Sequence, residues 1–423
     1  MKQAARVQSA IDILEKISEA RIPMDNTIRD FMAHKRYIGS KDRKFIVELV
    51  YNVMRSHARL GWWLTRVKSG DTPRSRVLAY LVLTQQDITN LFTGEKHQPD
   101  PLSSEEKDFV QSLNGNSLDH DDMPENILCE CPDWAADKLK PLWGDDFKDQ
   151  MLAMLPAAVM DLRVNTIKVT RERAQEVLAA DNVETVQTPY SPVGLRAVGK
   201  KPYMSATKAF HKGLVEIQDE GSQLIALLCD PKPGMRVLDY CAGSGGKTLG
   251  IAAMMEGKGI IYAMDNNSRR LEKGRRRYKK AGVHNVEVRS LEDEKNRKWL
   301  RRQKGAMDIV LVDAPCTSSG TWRRNPDYRW NIYGPSLEEI VEIQAEILAR
   351  VADKVKPGGR LVYATCSLFP EENEKQIENF LLNHPEYKII SIPENYPSSG
   401  DFMRLTPKDH STDGFFTAVL ERQ

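Results

Sequence analysis

Two cysteines in this chain stand where thiols do chemistry. Asp313-Ala314-Pro315-Cys316 follows one apolar run and Thr365-Cys366-Ser367 follows another. A single cysteine in such a place is usually a small hydrophobe. Two at the ends of successive strand-like runs, one behind Asp-x-Pro, point instead to a nucleophilic thiolate with a second thiol and a carboxylate in the same cleft. Spacing does not decide which sulfur attacks, nor what activates it.

A second group of residues has the shape of a cofactor cradle. Val237-Leu238-Asp239 runs into Tyr240-Cys241-Ala242-Gly243-Ser244-Gly245-Gly246-Lys247, and Thr248 to Met255 is good helix material. Strand, glycine-rich turn and helix is where a doubly wound α/β domain lays a cofactor against its backbone. Glycine is required because a Cβ would block the turn and the close approach. A phosphate loop of the G-x-x-x-x-G-K-[ST] type would need glycine where Cys241 stands, and a G-x-G-x-x-G dinucleotide turn would need it at Thr248. What remains is an acid-ended strand, a loose glycine turn, and Asp265 closing the next apolar run, Gly259 to Met264. An acid there accepts hydrogen bonds from both hydroxyls of a ribose. That combination suits S-adenosyl-L-methionine.

These groups need a scaffold that brings strand ends together. From Gln223 onward the chain alternates between strand and helix patterns, with strands at Arg236–Asp239, Ile260–Asp265, Val286–Arg289, Met307–Asp313 and Arg360–Thr365. Five such strands predict a mainly parallel sheet covered on both faces, with Gly414 to Leu420 closing it as a late strand. Both cysteines then fall at carboxyl ends of strands, on the cofactor edge. Residues 1–125 read as helical: Ala10, Ile13, Leu14 and Ile17 recur at helical spacing, as do Phe45, Leu49, Val50, Val53 and Met54, and Val77 to Leu83 is another apolar helix. The polar stretch from Pro101 to Pro124 reads as a loop or linker. Residues 126–225 read as a small α+β module, with Leu162 to Asn165 and Thr166 to Val169 as strand material and Arg171 to Ala180 as a helix. The expected division is therefore 1–125, 126–225 and 226–423.

Composition sets outer bounds. A chain of 423 residues, 41% hydrophobic and 28% charged, has enough core for two or three domains. No apolar run approaches a membrane span, and the first residues lack the pattern of a secretory signal. Six cysteines without a disulfide-like framework suggest reduced thiols in the cytoplasm. Cys129 and Cys131 form C-x-C without a second pair, so no metal site is expected. Net charge is only +2, but Ser268 to Lys280 carries eight Lys/Arg against the single acid Glu272, a helix that either meets phosphate or is simply solvated.

Several long motifs carry a resemblance. VEIQDEGSQL (Val215 to Leu224), VLDYCAGSGGKT, DAPCTSSGTWRRNPDYRW from Asp313, GGRLVYATCSLFPEENEKQIENFL from Gly358 and DGFF (Asp413 to Phe416) resemble the RsmB/Nop/Sun family of RNA 5-methylcytosine methyltransferases. SKDRKFIVELVYNVMRSHARLGWWL resembles the NusB-like RNA-binding helical domain, and RVNTIK (Arg163 to Lys168) matches the family's middle module. The N-terminal domain is most similar to the RsmB branch, which modifies small-subunit ribosomal RNA of the 16S type. The resemblance implies a class I methyltransferase fold behind an all-α domain and a small α+β module, working on RNA as a monomer and without a membrane.

It also implies roles. Carbon 5 of cytosine is a poor nucleophile until a thiolate adds to carbon 6, and an acid near N3 must answer the charge that develops. The family assigns Cys366 as that nucleophile and Cys316 to release of the methylated base, and it keeps Asp313 near the cytosine and the methyl group. It gives Cys241, Ala242, Gly243, Ser244, Gly245, Gly246 and Lys247 to the cofactor, Asp265 to its ribose, and an acid after the third strand to its adenine, here Asp293 with Glu292 adjacent. The usual A-P-G-G and P-C-S-G-T-G are Gly243-Ser244-Gly245-Gly246 and P-C-T-S-S-G in this chain, changes that remove no reactive group. Asn325, Pro326, Asp327 and Trp330, with Arg323 and Arg324, form a basic, aromatic loop suited to a flipped base. The competing readings are a transfer RNA enzyme of the same family, a DNA cytosine-5 methyltransferase, which would leave Cys366 spare, and a non-catalytic RNA-binding assembly factor, which would be expected to lose one of Cys316, Cys366 or Asp313.

Overall fold

The computed structural model describes every residue except 21, 200, 201, 332, 398 and 399. The chain forms two compact units. One comprises residues 1–157 and 322–334, and the other residues 158–321 and 335–423.

The first unit is helical among its described residues. Its apolar stripes pack into one core through the helices Gln3–Glu19, Met24–His34, Ser40–Arg55, His57–Arg66 and Pro73–Leu83. The expected linker contains a helix as well, Ser104–Leu113. Its polar surface hides the helical period, but Ser103 and Glu106 form a reciprocal capping box, and Phe109 and Leu113 face inward. The loop expected to hold a base is packed here too. Asp327 accepts a hydrogen bond from the Met24 amide at 2.9 Å, and Trp330 stacks on His57 with ring centroids 4.8 Å apart. The Arg329 guanidinium donates to the carbonyls of Glu130 (2.7 Å) and Met154 (3.1 Å). Packing within this unit accounts for the positions of these side chains. Burial also pushes the Cys129 and Cys131 thiols up to about 11 and about 12.

The second unit contains two sheets. In the smaller, β1 (Asp161–Val164), β2 (Thr185–Gln187), β3 (Gly194–Ala197) and β4 (Val215–Ile217) pair antiparallel in the order β2-β3-β1-β4. Thr166 to Val169, expected as strand, turns instead before the helix Arg171–Ala180, because the Asn165 carbonyl accepts the backbone N–H groups of Lys168 and Val169.

The larger sheet is built from β5 (Arg236–Asp239), β6 (Ile260–Asp265), β7 (Val286–Ser290), β8 (Met307–Asp313), β9 (Val355–Thr365), β10 (Tyr387–Ile389), β11 (Phe402–Leu405) and β12 (Phe415–Arg422). Its order is β10-β12-β9-β8-β5-β6-β7, with β11 also on β12. Strands β5 to β9 are parallel, and β12 runs antiparallel to β9. Alternation along each strand feeds two separate cores. Val237, Ile309, Leu311 and Val362 pack on one face, and Leu238, Val310, Val312 and Tyr363 on the other. The strand order runs outward from β5 through β6 on one side and through β8 on the other, so the carboxyl ends of β5, β6, β8 and β9 border the crevice where ligands bind in such sheets. Among the described residues no helix is long and apolar enough to cross a membrane.

Candidate active site

The glycine turn after β5 is held from several sides. Gly243 and Gly245 have φ of +55° and +81°. A Cβ on Gly245 would lie 2.2 Å from the Tyr278 hydroxyl, so only glycine fits. The Gly243 amide donates to Asp265 Oδ2 at 2.8 Å, and Asp265 Oδ1 accepts from the Asn267 amide at 2.8 Å. Each carboxylate oxygen keeps a lone pair for a further donor. Asp239 is fully buried and accepts from the Thr248 hydroxyl at 2.6 Å, while its other oxygen has no partner. Burial pushes its carboxyl up to about 7. A glycine-lined turn beside two strand-end carboxylates with unused acceptor capacity fits a ribose and a cationic sulfur. That is the chemistry of S-adenosyl-L-methionine.

The smaller sheet braces the same turn. Arg163, fully buried on β1, donates through one nitrogen to Gln218 and to the Gly246 carbonyl, both at 2.5 Å. Glu216 on β4 pairs with Arg277 and Lys280 of the basic helix Ser268–Ala281, each at 3.1 Å, and Arg277 also donates to the Ser244 carbonyl at 2.7 Å. Part of that basic run therefore supports the turn. Arg269, Lys273, Arg276 and Lys279 remain exposed.

Asp293 is placed differently from Asp265. It is exposed, three residues past the end of β7, and its carboxylate caps the helix Glu294–Arg301 by accepting from the Lys295 amide at 2.9 Å.

The two cysteines meet. Cys316 Sγ and Cys366 Sγ are 3.2 Å apart, both as free thiols. Their surroundings differ. On one side Lys247, only 9% exposed, places Nζ 2.6 Å from Asp313 Oδ2. Burial works against the Lys247 charge, but Asp313 outweighs it and raises the ammonium above its ordinary range. The hydrogen bond from Cys316 holds the Cys366 thiol below its usual range against burial and the Asp313 charge, and the Ser318 hydroxyl (3.7 Å away) and Lys247 help. On the other side, the bond to Cys366 and burial hold Cys316 well above its usual range, with Glu372 adding to both. The pair thus favours a thiolate on Cys366 and a thiol on Cys316, which spacing had left open.

Glu372 had no assigned part. Its carboxylate is fully buried and accepts from the Thr317 amide and hydroxyl, the Ser367 hydroxyl and Gln344. It sat in plain view in the run Pro370-Glu371-Glu372-Asn373, where two adjacent acids look like an ordinary solvated start to a helix.

Comparison with known proteins agrees with this geometry. The family described as 16S rRNA methyltransferase RsmB/F matches residues 226–421, and the ferredoxin-like domain of RsmF/B-like methyltransferases matches residues 131–202. The probable ribosomal RNA small subunit methyltransferase B of Synechocystis sp. is 28% identical over 97% of each chain. Ribosomal RNA small subunit methyltransferase B of Klebsiella pneumoniae is 28% identical over 99% of each. The solved structure of PH0851 superposes with a TM-score of 0.80 at 28% identity, covering 100% of this chain and 99% of that one. A methyltransferase homologue from Pyrococcus horikoshii, also 28% identical, superposes with a TM-score of 0.59 over 71% of this chain and 98% of its own. The glycine turn, the strand-end acids and the two apposed thiols all lie within residues 226–421, the part of the chain that matches the RsmB/F family, and they make this protein an S-adenosylmethionine-dependent methyltransferase.

Proposed function

We propose that this protein methylates carbon 5 of a cytosine in small-subunit ribosomal RNA through a covalent thioether to Cys366. The observation that carries this reading is the pair of sulfurs 3.2 Å apart between Lys247 on one side and Glu372 on the other. S-adenosyl-L-methionine supplies an electrophilic methyl group. Cys366 adds as thiolate to carbon 6, and the electron pair displaced from the ring double bond makes carbon 5 nucleophilic. Asp313, held by the Lys247 ammonium, is the acid assigned to N3, where it passes a proton as negative charge develops and takes it back when the thiolate leaves. Once carbon 5 carries the methyl group, a base takes its proton, the electron pair of that C–H bond re-forms the ring double bond, and the Cys366 thiolate leaves, with Cys316 serving this release. Cys241 to Lys247 cradle the cofactor, Asp265 takes the ribose hydroxyls, and Asp293 is the acid assigned to the adenine amine.

The names of the relatives support the choice of small-subunit ribosomal RNA. Six free thiols support a cytoplasmic enzyme, and we take it to act as a monomer. The family matches at 131–202 and 226–421 support a three-part division into 1–125, 126–225 and 226–423.

Bisulfite sequencing of total RNA from cells with and without the gene tests the function. One cytosine in small-subunit ribosomal RNA should become convertible on deletion. A site in transfer RNA would keep the chemistry and change the substrate, and no changed site would favour the assembly-factor reading. In the purified enzyme the RNA thioether should accumulate with Cys316→Ala and disappear with Cys366→Ala. The reverse pattern would exchange the two roles.

A further inference from the structure

We propose that Glu372 is a positioning residue: its buried carboxylate sets the separation of the Cys316 and Cys366 sulfurs by holding their two loops together. The inference rests on the reading of these cysteines as the reacting pair.

The two sulfurs come from loops 50 residues apart in sequence. Pairing of β8 with β9 brings the two loops side by side, and bonds between the loops then set the sulfurs to a fraction of an ångström. Glu372 makes bonds to three segments at once. Oε2 accepts from the Thr317 amide at 2.9 Å and from Gln344 Nε2 at 3.0 Å, and Oε1 accepts from the Thr317 hydroxyl at 2.5 Å and from the Ser367 hydroxyl. Thr317 follows Cys316, Ser367 follows Cys366, and Gln344 lies on the helix Leu337–Ala352, where it also donates to the Pro315 carbonyl at 2.9 Å. The clamp is itself anchored, because the Tyr363 hydroxyl on β9 donates to the Glu372 carbonyl at 2.7 Å. Four donors converge on one fully buried carboxylate, an arrangement that loses both its hydrogen bonds and its geometry if the carboxylate is shortened or removed.

Side-chain length is what matters. Glu372→Gln would keep one oxygen toward the two N–H donors and turn its NH₂ toward two hydroxyls, which can rotate to accept. Glu372→Asp withdraws the carboxylate by about 1.5 Å. That is enough to lose one loop or the other, and a displacement of this size at a reacting pair is enough to cost about a hundredfold in rate.

The test reads sulfur proximity directly. Full-length wild type and the variants Glu372→Ala, Glu372→Asp and Glu372→Gln are treated with diamide, and the rate of Cys316–Cys366 cross-linking is followed by peptide mass spectrometry. The azo bond of diamide takes up the two electrons and two protons that the thiols give up as the S–S bond forms. We expect Glu372→Ala and Glu372→Asp to slow the cross-link at least tenfold and to lower kcat with KM for the cofactor within twofold. Glu372→Gln should restore the cross-link to within threefold of wild type. Glu372→Asp carries the test if Glu372→Ala does not fold. Cross-linking at the wild-type rate in the shortened variants overturns the proposal, as does a Glu372→Gln rate no better than that of Glu372→Ala. If the cross-link slows as expected but wild type shows no methyl transfer to RNA, the positioning role stands and the proposed function fails.

Discussion

Replacing Asp239 with asparagine should remove a specific pH dependence from the stability of the cofactor-binding unit. Asp239 ends β5 with 1% of its surface exposed, one oxygen bonded to Thr248 and the other without a partner. Burial, with Asp313 and Asp265 adding to it, raises its carboxyl from 3.8 to about 7 against the opposing Thr248 bond and Lys247 charge. Between those two values the folded protein binds a proton that the unfolded chain has released, so stability must fall as pH rises. The contribution is fully present below about pH 4 and is lost as pH passes through about 7. At about 1.4 kcal/mol per pH unit the whole effect is about 4 kcal/mol, of which about 2.5 kcal/mol develops between pH 5 and pH 8. For a unit of this size that corresponds to about 5–10 °C in Tm. The assay is calorimetry of cofactor-free wild type and Asp239→Asn at pH 5 and pH 8. Any pH-independent cost of burying the amide cancels when the two differences are compared. Wild type should lose about 5–10 °C relative to the variant on going to pH 8. A wild-type-minus-variant difference that stays within about 2 °C across that range would refute the argument, because the buried carboxyl would then ionise as easily in the folded protein as in the unfolded chain.

Gly245→Ala should weaken cofactor binding at least a hundredfold by calorimetric titration, since φ of +81° and the 2.2 Å approach to Tyr278 leave no room for a methyl group without moving the turn. Lys247→Met should shift alkylation of Cys366 by iodoacetamide to higher pH and slow it severalfold at pH 7, read by peptide mass spectrometry, because the variant removes a cation that favours the thiolate. An unchanged alkylation profile would exclude Lys247 from thiol activation. Arg329→Met should destabilise the helical unit by about 3 kcal/mol in urea while leaving cofactor affinity unchanged, since it strips buried carbonyls of their donor. A selective loss of RNA binding without loss of stability would return this loop to the base-holding role read from its composition.

What the sequence alone determined was most of what local pattern and parallel-strand geometry set. Two-residue alternation and glycine-rich turns marked the strands that end at Asp239, Asp265, Asp313 and Thr365. Strands joined by helices must run parallel, so those ends share one edge, and the cofactor turn, the two acids and both cysteines followed from that rule. The motifs around Cys316 and Cys366 pointed to the family by resemblance. Tertiary structure decided what depends on partners remote in sequence. Arg163 reaches Gly246 across 83 residues, and Thr317 reaches Glu372 across 55. No local period records such bonds. The 3.2 Å between the sulfurs and the different groups around each, Ser318 and Lys247 beside Cys366 and Glu372 beside Cys316, could not be read from spacing. The same applies to residues 322–334, which lie between two elements of the methyltransferase unit in sequence but belong to the helical one. Their arginines and tryptophans have the composition of a nucleic-acid loop. Burial, a property of the whole fold, made Trp322, Asp327 and Arg329 part of a core instead.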